Sequence, residues 1–382
     1  MYRLPNASVL GLVLLTAAGH CVCPHATQGA EPTNLAPSRA ASFAYPYHDG
    51  QLSFPQDEGK HSPSEWPFTL MEWFAHYTHL TADDGARYFL FSTFVTYDPI
   101  EEVLQGKFPH VISTFIDVTG GKTYHHRGMN KLKEFAEGHA SAESASGDYF
   151  RWKGSDRPFL YDYHVARHDA RVTYAIDLEL EMVKPPLAVN GTGYIGLPKG
   201  VSGYYSQTRL KAKGDLLIDG VKKRVQGIHW VDRQWLGVSF VGNLHYSYEW
   251  WALQLDNQEE AIMFRIWDAN TDEIAMTRLE INHADGKQES VGAFDLTDMA
   301  AGWHLSAPQA GWDLRIVPAC SGQHTWQSCD ITGTIQGNPV TGVAAAELAR
   351  GIVREFSQIL SLSPPSIPAM PKHAKTPKPV GR

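Results

Sequence analysis

The chain has 382 residues, of which 43% are hydrophobic and 19% charged, and its net charge is −8. That much apolar material can fill a core, which excludes a wholly disordered protein. The acidic balance excludes nucleic acid as the main partner.

In chain order, Arg3, the apolar run Val9–Leu15 and the small residues Ala17, Ala18 and Gly19 read as an export signal within residues 1–30, leading to the periplasm or the medium. The run is too short to cross a bilayer, so the mature protein is expected to have no transmembrane segment. Residues 31–43, rich in Pro, Ser and Ala, read as a linker. From Phe43 to about Ile335 the texture is β. Aromatic and β-branched runs predict strands over 88–96, 111–118, 159–167, 172–181, 204–212, 215–218, 246–255, 261–267, 275–281 and 312–317. Many end at turn pairs such as Asp219-Gly220, Asp256-Asn257 and Asp285-Gly286. Short strands at near-regular spacing predict an all-β sandwich or barrel. Val343, Leu348, Ile352, Phe356 and Leu360 recur at helical spacing and predict a C-terminal helix over 341–362, closed by Pro364-Pro365. Residues 363–382 read as a disordered basic tail, whose Lys372, Lys375, Lys378 and Arg382 could touch a membrane surface or an acidic patch. In an exported chain Cys320 and Cys329 are expected to form a disulfide, worth about 2–3 kcal/mol for so short a loop.

Chemistry concentrates in three segments. In Glu72–Leu80, strand alternation puts Glu72, Phe74, His76 and Thr78 on one face and Trp73, Ala75, Tyr77 and His79 on the other. The second segment is Gly203–Leu210, with Tyr205 and Arg209. The third is Gly227–Trp235 with its sequel Tyr248–Leu253. As a strand it places His229, Val231, Arg233 and Trp235 on one face and Trp230, Asp232 and Gln234 on the other. Two roles fit Asp232. Held against aromatic rings it loses solvation, its proton affinity rises, and it can serve as a general acid near neutral pH. Paired with an Arg, it orients a turn. Glu72 has the makings of a structural ion pair with Arg209 or Arg233.

The sequence contains no His-Glu-x-x-His, and its cysteines lack zinc spacing. His76 and His79 fall on opposite faces of a strand, so no metal site is expected. Neither a phosphate loop nor a dinucleotide fingerprint is present, and no cofactor is expected. A Gly-x-Ser-x-Gly elbow is missing as well.

Together and in this order, Glu72-Trp73-Phe74-Ala75 with His79-Leu80, Tyr205–Leu210 and Trp230–Trp235 resemble the motifs of the AttH-like and carotenoid 1,2-hydratase (hydroxyneurosporene synthase) family. The resemblance covers about residues 60–340. It implies two tandem lipocalin-like (calycin) β-barrels, here over 44–224 and 225–340. It also implies an apolar isoprenoid, polyketide or lipid-like partner, processed by acid-assisted hydration of a C=C bond or a related lyase or isomerase step. Phe74 and Ala75 depart from the family's Glu-Trp-Trp-Tyr motif, which implies a differently shaped pocket. The export signal fits the AttH-like branch better than the carotenoid branch.

Hydrating an alkene requires a positioned acid, one ordered water and a cavity whose aromatic faces stabilise a cation. Asp232 is the leading acid, with Trp230 beside it; Asp268, after Trp267, is the second candidate, and His229 could orient the water or act as base. Trp73, Tyr77, Tyr205, Arg209, Trp235, Trp250 and Trp267 are the expected substrate-binding residues. A non-catalytic carrier of the same small hydrophobic molecule, or a secreted hydrolase, remains an alternative.

Overall fold

A computed structural model describes residues 52–349, apart from 65–68, 98–99, 102–107, 155–158, 169–171, 199, 238–245, 269 and 321–324. The expected export signal, linker and basic tail, and residues 350–362 of the expected helix, lie outside the described residues.

The strand Met71–Ala82 sets the plan, because its alternation buries both faces. Phe74 and Leu80 enter a cluster with Leu90, Phe94, Phe115, Phe150 and Tyr163. Ala75 and Tyr77 enter another, with Phe91, Trp230 and Trp250. A strand apolar on both faces belongs inside a sheet, and it pairs antiparallel with Arg87–Thr96 on one side and Val221–Leu236 on the other.

Among the described residues the first sheet has thirteen strands. From one edge eleven of them run Lys122–Gly128, Val111–Asp117, Arg87–Thr96, Met71–Ala82, Val221–Leu236, Gly200–Ile218, Thr173–Met182 and Leu160–His168, then three short strands between 134 and 152, while Leu187–Ala188 and Tyr194–Leu197 pair with Gly200–Ile218 off this path. The second sheet has nine, with Tyr246–Leu255 and Asn338–Ala349 paired at its centre. Each sheet curls around its own apolar filling, of which Trp251, Leu253, Met263, Leu305, Trp312 and Leu314 belong to the second. The expected all-β architecture of two lipocalin-like curled sheets is therefore what the chain adopts. A third aromatic cluster joins the two sheets along a seam, with Tyr77, Phe91, Tyr204 and Trp230 from the first and Trp250, Phe264 and Trp326 from the second.

Three expectations are corrected. The helix over 341–362 is not formed in its described part, because Asn338–Ala349 is a strand. Ala344 and Ala346 face the second core while Ala345 faces the seam. The alanine run that favours a helix in isolation serves here as the thin centre of a sheet packed on both sides, and packing overrides propensity. The boundary at 224/225 cuts through Val221–Leu236, which belongs wholly to the first sheet. The Asp219-Gly220 turn makes that strand the hairpin partner of Gly200–Ile218, so the first sheet runs to Leu236. Cys320 and Cys329 stand as separate thiols. Cys329 packs in the second core, whereas Cys320 packs against the seam with its Sγ 3.7 Å from the Val118 carbonyl.

One irregularity shapes the seam. Gln207 pairs with Val231 and Leu210 with His229, so two residues, Thr208 and Arg209, stand opposite one. This bulge lets consecutive residues both reach the second sheet. The Thr208 carbonyl accepts from Gln254 Nε2 (2.8 Å), and Arg209 donates to Glu260 and to the Leu255 carbonyl.

Gly203 marks another close approach. A Cβ there would lie 1.8 Å from the Trp235 ring. Gly203→Ala is expected to lower stability by about 1–3 kcal/mol through overpacking, read as a drop in melting temperature.

Candidate functional site

The strand Val221–Leu236 carries the site because its two faces look into different environments. His229, Val231, Arg233 and Trp235 turn toward the first barrel and its mouth, and Trp230 and Asp232 toward the seam. Asp232 is 4% exposed. Its Oδ1 accepts the Trp230 indole N–H and the Ser206 hydroxyl, both at 2.6 Å. Its Oδ2 accepts the Tyr204 hydroxyl at 2.7 Å. Tyr204 in turn accepts the Trp250 indole N–H at 2.8 Å. Burial pushes the Asp232 carboxyl up to about 7; the three hydrogen bonds oppose that rise and the charge of Glu347 adds to it. An indole N–H can only donate. The proton of the acid form therefore belongs on Oδ2, directed at Tyr204.

Across the seam, Glu347 lies on the strand Asn338–Ala349, opposite Trp326 in the ladder. Tyr248 donates to its Oε1 (2.8 Å) and Tyr77 to its Oε2 (3.1 Å). Burial raises its proton affinity too, against those bonds. The Tyr77 ring stacks on Trp250 with centroids 4.7 Å apart, and Trp230 meets Trp250 edge-on at 6.0 Å. The two carboxyls thus flank one aromatic wall.

Of the residues singled out from the sequence, Asp232, Trp230, Tyr77 and Trp250 meet here, with Trp73 packed at the margin. The others stand elsewhere. His229 is on the opposite face of its strand, with Nε2 3.0 Å from His76 Nδ1 and Nδ1 2.7 Å from the Thr78 hydroxyl. Burial pushes its pKa down to about 3, so it is neutral and turned away from Asp232. Asp268 closes the strand Glu260–Asp268, and its Oδ1 accepts the Asn270 N–H at 2.8 Å, the geometry of a turn. Trp267 lies under the Arg265 guanidinium, 4.8 Å from the ring centre. Tyr205 and Trp235 form a separate cluster with Leu52, where His61 stacks on Trp235 at 3.8 Å. Arg209 is committed to Glu260. Glu72 pairs with Arg233, both buried, and Arg233 also donates to the Gly59 carbonyl.

Tyr204, Ser206, Tyr248 and Glu347 were not anticipated. Tyr204 and Ser206 carried a readable signal, since they share one face of the Gly203–Leu210 segment and stand opposite Gln234 and Asp232. A further perturbed acid, Glu58, follows from no sequence pattern. Burial pushes it up to about 8 inside the first barrel, where Tyr161 and Gln207 donate to it and the charge of Arg233 lies close.

A cleft of about 210 Å³ opens farther along the seam, walled by His79, Tyr88 and Ile228 from the first sheet and Ser328 and Val343 from the second. Asp232 does not line it. Ile228, Trp230 and Asp232 are successive on one face of their strand, so the cleft floor lies about 13 Å along it from the acid. Among the described residues no group of three or more His, Cys, Asp or Glu could hold a metal ion, and no helix is long and apolar enough to cross a membrane.

Comparisons with known proteins agree with this architecture. A crystal structure described as an AttH of Nitrosomonas europaea, 18% identical, superposes with a TM-score of 0.61 over 80% of this chain and 99% of that one. Kievitone hydratase of Nectria haematococca, 12% identical, superposes with a TM-score of 0.58 over 80% of this chain and 94% of that one. At such identities the likeness establishes the fold. No curated protein matches the chain in sequence. The model of the AttH-like family matches residues 45–330. On that match, which spans well over half of its length, the chain belongs to the AttH-like family.

Proposed function

We propose that the protein is a hydratase-type enzyme acting on a hydrophobic, isoprenoid or lipid-like alkene, with Asp232 as the general acid. One observation carries the reading: a carboxyl at the seam of two barrels, held by three neutral donors, with burial pushing it up to about 7. Such an acid is protonated in part at neutral pH, as proton delivery to a double bond requires. The indoles of Trp230 and Trp250 and the ring of Tyr77 supply faces that stabilise a developing cation. Fold kinship with kievitone hydratase, a hydratase by name, supports the reaction class. On the same footing we propose that the chain is exported through its apolar N-terminal run.

The test incubates the purified protein with a panel of linear polyenes and prenylated phenols in H2(18)O, followed by mass spectrometry. Uptake of one labelled water by any member, lost in Asp232→Asn, supports the reading. No uptake, or equal uptake by the variant, overturns it. The cleft that Asp232 does not line favours a second reading, a carrier of a small apolar molecule. Binding of panel members without conversion would establish it.

A further inference from the structure

We infer that Glu347 is the second catalytic carboxyl of this site, taking the proton of the water that adds to the double bond. The inference rests on the hydratase reading and completes it, since an acid alone leaves the attacking water without a base.

Most buried carboxylates among the described residues have a cation bonded to them; the seam acids do not, and Glu58, held by Tyr161 and Gln207, has only the nearby charge of Arg233. Glu72 is paired with Arg233, Glu260 with Lys184 and Arg209, Glu249 with Arg265, Asp148 with Arg167 and Glu280 with Arg278. Each is a carboxylate neutralised in place, as a structural role requires. Asp232 and Glu347 are held by hydroxyls and indoles, with no cation among the causes acting on either. Neutral donors leave both free to gain and lose a proton.

Position assigns the roles. Asp232 comes from the first sheet and Glu347 from the second, and a run of contacts through Tyr204, Trp250 and Tyr77 joins them across the seam. Asp232 is 4% exposed, whereas Glu347 and Tyr248 are only partly buried. Water therefore arrives from the side of Glu347, and the proton is delivered from the enclosed side. The other basic candidate, His229, is turned into the first barrel and bonded to His76 and Thr78.

The step balances. The Asp232 O–H bond breaks as the π electron pair forms a C–H bond, leaving a cation on the neighbouring carbon. The water oxygen forms the C–O bond, and its O–H bond breaks toward a Glu347 carboxylate oxygen. Glu347 then releases that proton to solvent, and Asp232 takes one up. The titratable groups around Glu347 are Tyr77, Tyr204 and Asp232 across the seam and Tyr248 on the neighbouring strand of its own sheet.

The variant Glu347→Gln keeps an acceptor for the tyrosine hydroxyls. In the labelled-water assay, on the alkene that the wild type converts best, it is expected to lower kcat by about 100-fold or more while KM moves by less than about 3-fold. The pH profile separates a base from a merely structural residue. The wild type should show two limbs, an acid limb that rises as Glu347, its proton affinity raised by burial, loses its proton, and a fall above about 7 as Asp232 loses its own. Glu347→Gln should keep only the fall. A variant with kcat within about 3-fold and both limbs intact, while Asp232→Asn is inactive, overturns the role of Glu347 and leaves the hydratase reading standing. A wild type inert toward the whole panel overturns both. If the variant does not fold, as judged by melting, the wild-type profile decides: the absence of a low-pH limb overturns the inference.

Discussion

Replacing Glu260 by alanine is expected to lower the unfolding free energy by about 3–5 kcal/mol, among the largest single effects on stability in this chain. Glu260 is fully buried, on the second sheet, and both its cations come from the first half. Lys184 Nζ lies 2.5 Å from Oε2 and also donates to the carbonyls of Gln258 and Asn282. Burial pushes Glu260 up and Lys184 down, and in each case the pair opposes that drift without cancelling it. Removing the acid leaves an ammonium and a guanidinium facing each other at the seam without a counter-charge, which is why the loss exceeds that of an ordinary ion pair. Arg87 and Asp330 also bridge the halves, but they are 34% and 47% exposed. Arg87→Ala should therefore cost no more than about 1 kcal/mol. Urea unfolding of both variants checks the contrast; equal losses would show that the seam is not held at Glu260.

Replacing Asp232 by asparagine is expected to reduce turnover by at least about 100-fold while the fold persists. Asparagine mimics the protonated acid. Its oxygen can accept from Trp230 and Ser206, and its amide can donate to Tyr204 where the acid would place its proton. The variant also tests the proton affinity directly. A carboxyl that titrates near 3.8 in the unfolded chain and at about 7 in the fold binds more protons when folded, between those values. Its contribution to stability is complete below about pH 4 and is lost as the pH rises through 7. Asp232→Asn removes that slope. The variant should gain stability relative to the wild type as the pH is raised, by a few kcal/mol on the order of 1.36 kcal/mol per unit of displacement. Glu58, His79 and His229 add slopes of their own, which cancel in the difference. A stability difference independent of pH would show that Asp232 titrates normally and would remove the general acid.

Much of the fold was legible because strands write their burial in alternate residues. Tyr246–Leu255 was found to the residue, and the two faces of Gly227–Trp235 were assigned correctly. The Glu72–Arg233 pair was foreseen as one of two options. The misses share a cause, which is that their explanation lies across the chain. Ala344–Ala346 reads as helix until a second sheet is packed on it, and with the strand went Glu347. Arg209 looked like a ligand contact because the bulge that re-aims it is a property of register, not of composition. His229 looked like a base because its partner His76 is 153 residues away.

The pairing of Met71 with Leu236 governs how the protein is made. Most of the chain must be synthesised before the strand at 71–82 acquires its neighbour at 221–236, and until then a long apolar ribbon presents bare amide and carbonyl groups. Loop closure over such a span is slow, so the nascent first barrel is exposed to aggregation for as long as residues 83–220 are unfinished. A ribosome pause or a nonsense codon before 221 therefore yields a sticky fragment, while a stop after 236 releases a first sheet whose central ladder is complete.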